Sequence, residues 1–96
     1  MSAGDWKAFF QAAQDGDKRL VHYYLESGID PNYQHPEVMT TALCVSIAHG
    51  HDDIASLLLQ YGSDPLIKNV IDDLNAREAA VQYNRVTILR ILDEKR

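Results

Sequence analysis

The chain has 96 residues, 46% of them apolar and 24% charged, with a net charge of −5 at neutral pH. That length and apolar content fit one folded domain over 1–96 and exclude a disordered chain. The acidic balance disfavours a sequence-independent grip on nucleic acid or on an anionic membrane, since both need clustered Lys and Arg.

The first predicted helix runs from about Asp5 to Asp15 and holds Trp6, Phe9 and Phe10. With Asp5 and Lys7 in it, the start of the chain has no apolar core of a signal peptide. Gly16 then breaks the helix, and Asp17 is placed to cap a second one reaching about Ser27, with Leu20 and Tyr24 on one stripe. Gly28 suits a left-handed C-cap and Pro31 forbids continuation. The pattern then recurs. Thr41 to His49 forms a helix, Gly50-His51 a turn, and Asp52 to Tyr61 a helix with Ile54, Leu57 and Leu58 on its stripe, closed by Gly62 and Pro65. A third pair follows, from about Asn75 to Tyr83 and from Arg85 to Asp93.

The spacing is regular. Gly16 and Gly50, Gly28 and Gly62, and Asp30-Pro31 and Asp64-Pro65 each lie 34 residues apart. One more step from Gly50 reaches Asn84, the best non-glycine residue where φ must be positive. Internal repeats of this length mean a stack of helix–turn–helix units, here about 5–37, 38–71 and 72–96. An open stack needs atypical ends. Trp6, Phe9 and Phe10 are expected to cover the first end, and Arg85, Arg90, Asp93, Glu94, Lys95 and Arg96 to give the other a polar finish.

Residues that can carry chemistry are few. His49-Gly50-His51-Asp52-Asp53 places two histidines beside two carboxylates, so the alternative reading is a small metal-dependent enzyme or metal-binding protein. Against it, residues two apart do not face one another on a helix. The pairs Asp52-Asp53 and Asp72-Asp73 are read as helix-start charges favoured by the macrodipole. The single cysteine, Cys44, excludes an internal disulfide and the multi-Cys zinc patterns, and its place early in a helix marks a small core residue. Tyr23-Tyr24 reads as core, and His22 as a solvated surface residue. No phosphate loop, dinucleotide fingerprint or Ser-His-Asp motif is present, so no cofactor is expected.

The second unit, Thr41-Ala42-Leu43-Cys44-Val45-Ser46-Ile47-Ala48-His49-Gly50-His51 followed by Ile54-Ala55, Leu57-Leu58-Leu59 and Gly62-Ser63-Asp64, resembles an ankyrin repeat. The first unit is similar at Ala12-Ala13, Gly16 and Gly28 to Asn32, and the third, from Asn75 to Leu92, resembles a terminal repeat. The chain departs from the family pattern at Ala42, where the family has Pro, and at Cys44, where a histidine and its hydrogen bond are missing. Its period of 34 exceeds the usual one by a residue in the Tyr33–Thr40 connection.

The resemblance implies an all-α solenoid with a concave face built by the first helix of each unit and by two projecting fingers, Tyr33 to Thr40 and Leu66 to Asp73. Within the fingers Leu66 or Ile67 is expected to be internal. Tyr33, Val38, Met39, Val70 and Ile71 form an apolar surplus suited to contact, with His35 and Glu37 as a polar rim. The expected partner-binding set is Tyr33, Gln34, His35, Glu37, Val38 and Met39 on the first finger, and Lys68, Asn69, Ile71 and Asp72 on the second. The residues before the turns, Gln14 and Asp15, Ala48 and His49, and Gln82 and Tyr83, join it by the family's pattern. The implied function is non-catalytic binding of another protein in the cytoplasm, by a monomer or weakly self-associating chain. The roles the resemblance implies are an inhibitor, an antitoxin or immunity factor, or an adaptor, and a free-standing chain fits an inhibitor slightly better than a scaffold.

Overall fold

Three helical pairs follow the repeat. In the computed structural model, which describes residues 3–94, the elements are α1 (Ala3–Asp15), α2 (Lys18–Glu26), α3 (Ala42–Ala48), α4 (Asp52–Gln60), α5 (Ala76–Gln82) and α6 (Val86–Glu94). Among the described residues there is no strand.

Each helix starts and stops for a reason visible in the sequence. The Asp17 carboxylate accepts the Leu20 N–H at 3.2 Å, and Thr41 Oγ1 accepts the Cys44 N–H at 3.2 Å. Asn75 and Glu78 form a reciprocal capping box at 2.9 and 3.0 Å. The turns inside the pairs use left-handed Gly16, Gly50 and Asn84, at φ +87°, +78° and +55°. α1 is longer than α3 and α5 because the first unit lacks their capping Thr or Asn and runs on through Asp5-Trp6-Lys7.

The pairs stack in two layers, α1 beside α3 beside α5 and α2 beside α4 beside α6. Small residues Ala12, Ala13, Ala55 and Ala80 let the layers approach, and Phe9, Val21, Leu43, Ile47, Ile54, Leu58 and Ile88 fill the space between them. The stack measures 33 × 25 × 23 Å.

Several expectations about the surface change. Trp6, Phe9 and Phe10 are buried, Trp6 stacking on Phe10 at 5.4 Å and meeting Tyr33 and His35 of the first finger. Tyr24 is half-buried against the core and meets Phe9 edge-on, whereas Tyr23 is 62% exposed, so only one of the pair is core. Arg85 is no end residue: its guanidinium turns inward to the Asp52 carboxylate at 3.2 Å and joins the second pair to the third. The C-terminal face is crossed instead by an Arg77–Asp93 ion pair. Lys95 and Arg96 lie outside the described residues.

Candidate interaction surface

The connections after α2 and α4 are tied to one another by polar groups one repeat apart. The Asn32 side chain accepts the Asp64 N–H at 2.7 Å and donates to the Gly62 carbonyl at 3.1 Å. The Gln34 amide donates to the Lys68 carbonyl at 2.9 Å and accepts the Val70 N–H at 3.1 Å. The Ile71 N–H donates to the Met39 carbonyl at 3.0 Å. Gln34, expected to face a partner, therefore spends its amide on the neighbouring finger. The fingers share a turn: Met39 and Asp73, 34 residues apart, are both left-handed, at φ 56° and 59°. Their N–H groups close i→i+4 turns on the His35 and Asn69 carbonyls at 2.9 Å each.

The first finger rests on α1. The His35 ring stacks on Trp6 with centroids 4.8 Å apart, and Tyr33 meets Trp6 edge-on at 5.7 Å. His35 Nδ1 accepts the Glu37 N–H at 3.0 Å, and Glu37 pairs with Lys7 at 3.6 Å across solvent. Tyr33 thus packs within the finger base and still leaves 46% of its surface exposed.

Asn69 corrects a sequence expectation. It is 3% exposed, and its Oδ1 accepts the Thr41 N–H at 3.3 Å, so it holds the second finger against the start of α3 and is closed to any partner. It also hydrogen-bonds the Cys44 side chain, at the position where the family has a histidine. Burial pushes the Cys44 thiol above its ordinary value, against hydrogen bonds from Thr41 and Asn69 that lower it, which disfavours the reactive thiolate, as expected of a small core residue. Asp72-Asp73 do not start a helix, since α5 begins three residues later behind Asn75. Asp72 Oδ1 accepts the Leu74 N–H at 3.0 Å and so shapes the finger's exit. Lys68 donates to Glu78 at 2.9 Å and to the Asp73 carbonyl at 3.2 Å. Of the pair Leu66 and Ile67, Ile67 is half-buried and Leu66 exposed.

Between α3, α5 and the two fingers lies an open groove of about 240 Å³. Val45 and Ala48 of α3 and Ala79 and Tyr83 of α5 form its walls, Val38, Thr40, Ile71 and Asp72 its finger side, and Cys44 and Asn69 its floor. Ile71 is 60% exposed and Tyr83 45%. The structure thus gathers Val38, Ile71, Asp72 and Tyr83 into one hollow. His49 and Gln82 are exposed beside it, Gln14 is half-buried, and Asp15 is exposed and accepts from Gln11 at 2.9 Å. Val45 and Ala79 are lining residues that the sequence reading does not single out. Their signal is the register of Ala48: Val45 lies one turn before it on α3, and Ala79 is the residue 34 on from Val45.

The histidine cluster is spent on the scaffold. The His51 ring Nε2 donates to the Gln14 carbonyl at 2.9 Å, with the ring over Gly16, where a Cβ would meet it at 2.8 Å. Arg85 repeats this arrangement one unit later, reaching the Gly50 carbonyl at 3.4 Å. The His49 ring Nδ1 donates to its own turn, to the Val45 carbonyl at 3.2 Å. Among the described residues no three of His, Cys, Asp and Glu converge on a point suited to a metal ion.

Two layers of paired helices, a glycine-turned period and paired fingers over an open hollow define a helix–turn–helix solenoid. The chain belongs to the ankyrin-repeat family: the model for ankyrin repeats, in three copies, matches residues 9–95. It is 36% identical over 58 residues to the human 2-5A-dependent ribonuclease, covering 60% of this chain and 8% of that protein. It is 30% identical over 79 residues to an ankyrin repeat protein of Acanthamoeba polyphaga mimivirus, covering 82% of this chain and 48% of that protein. An ankyrin repeat and KH domain-containing protein of Caenorhabditis elegans is 25% identical over 87 residues, 91% of this chain and 3% of that one. The chain therefore spans less than half the length of each of these curated relatives. Ankyrin repeats are in general protein–protein interaction modules, and the family is typically non-catalytic. No helix among the described residues is long and apolar enough to cross a membrane.

Proposed function

We propose that residues 1–96 form one non-catalytic binding domain, monomeric or weakly self-associating in the cytoplasm, that holds another protein on the face made by α1, α3, α5 and the fingers. It acts by occlusion or tethering, as an inhibitor, antitoxin or immunity factor, or as an adaptor. The observation that carries this reading is the open groove of about 240 Å³ with exposed Ile71 and Tyr83 at its edge. A tyrosine and an aliphatic side chain standing over an apolar hollow are the parts from which an interface core is made. The proposed contact set is Tyr33, Glu37, Val38, Ile71, Asp72, His49, Gln82 and Tyr83; Asn69 is removed from it by burial, and Gln34 and Lys68 act by holding the fingers.

The test is capture of the partner from cells that make this protein, using the wild type and two variants. Ile71→Ala with Tyr83→Ala is expected to weaken binding by about 1–3 kcal/mol with little change in Tm, because both side chains face solvent. Lys18→Glu with Gln60→Lys, on the outer layer, is expected to bind as the wild type. The opposite pattern places the partner on the outer layer and sinks the reading.

A further inference from the structure

The groove carries more than an apolar hollow. Its walls are aliphatic at Val38, Val45, Ala48 and Ile71, but a carboxylate, Asp72, stands at the edge. One oxygen of Asp72 is used by the Leu74 N–H; among the described residues its other oxygen has no partner. Asp73, next to it, already lies in the field of the Lys68 ammonium, which donates to its carbonyl at 3.2 Å. The cations on this side of the stack are already engaged, Lys68 with Glu78 at 2.9 Å and Lys7 with Glu37 at 3.6 Å, and Arg85 is turned into Asp52. The field left over at the groove is therefore negative, in a chain that carries −5 overall. An acid beside an apolar wall pairs more strongly than one in open water, because the wall keeps part of the solvent away.

Resting on the reading of this face as the docking surface, we propose that the groove takes a short basic segment of the partner. An aliphatic side chain of that segment enters between α3, α5 and the fingers, and an adjoining lysine or arginine pairs with Asp72. The hydrophobic part supplies burial, and the charge selects among apolar segments and speeds encounter at low salt. An acidic segment presenting the same aliphatic residue is rejected by Asp72.

The experiment pans a random library of linear peptides on phage against the full chain, then titrates the synthesised winners into wild type, Asp72→Asn and Ala48→Trp. Thermal melts check that each variant is folded; Ile71→Ala replaces Ala48→Trp if the tryptophan lowers the melt. The expected winners carry Lys or Arg beside an aliphatic residue. Asp72→Asn weakens them by about threefold to fivefold, the scale of an exposed ion pair, and the loss shrinks as salt rises. Filling the groove at Ala48 abolishes binding. Winners without basic residues, or an Asp72→Asn affinity equal to wild type alongside loss in Ala48→Trp, overturn the basic segment while the docking surface stands. Winners indifferent to both variants overturn both readings. A library that yields no winner overturns capture of a linear segment and leaves the docking surface to the capture test.

Discussion

Two buried polar side chains behave in opposite ways. Ser63 Oγ is buried and has no hydrogen-bond partner among the described residues. A hydroxyl taken from water without a new partner costs free energy, so Ser63→Ala is expected to raise stability by about 1 kcal/mol, read from a urea midpoint that rises with an unchanged slope. Asn69 is equally hidden but employed. Asn69→Ala strips the Thr41 N–H of its acceptor at the start of α3 and is expected to cost about 1–3 kcal/mol by the same measurement. A midpoint that failed to fall would mean that water replaces the lost amide. Neither role is legible in the sequence. Serine and asparagine in a connection read as solvated, and only the fold shows that these two point inward. Cys44 is the partial exception: the missing histidine and its hydrogen bond are legible in the sequence, but the contact with Asn69 from the next finger is not.

At the scale of elements, what sequence reads well is punctuation. Glycines, Asn84, Asp17, Thr41 and Asn75 fix where helices begin and end because their conformations and side-chain caps act within a few residues. What it reads badly is the bonding between fingers. Gln34 and Lys68 have the composition of contact residues, yet each is held by groups distant in sequence. The start of α5 gives a pH test of such a tie. Glu78 accepts the Asn75 N–H and pairs with Lys68, and these, in that order, hold its carboxyl below the ordinary value of 4.5. A depressed carboxyl binds fewer protons in the folded chain than in the unfolded one. Its stabilisation is therefore present above pH 4.5 and is lost as pH falls through its folded value. Glu78→Gln is expected to flatten the fall of Tm below pH 4.5 relative to wild type. Parallel acid limbs in the two proteins would show that this carboxyl is not linked to folding.

At the scale of the whole molecule, the repeat makes comparison between equivalent residues informative. Leu58 and Leu92 are 34 residues apart on α4 and α6, yet Leu58 is fully buried and Leu92 only half-buried. The difference is neighbours within the outer layer of described helices: α4 is flanked there by α2 and α6, while α6 meets α4 on one side, each packing also on its own pair partner. The stability of a repeat stack is approximately a sum of unit terms and interface terms, so a loss in the middle unit weakens two interfaces and a loss in the last weakens one. Leu58→Ala removes side-chain atoms from a site walled on both sides, where the cavity cannot fully collapse, and is expected to cost about 2–5 kcal/mol. For a domain of this size that is a large part of total stability. Leu92→Ala leaves a hollow open to water beside the Arg77–Asp93 pair and is expected to cost clearly less. Urea unfolding of the two variants, followed by circular dichroism, measures both. Equal losses would mean that the three pairs melt as one indivisible core. A larger loss at Leu92 would mean that the last pair, not the middle one, holds the stack together.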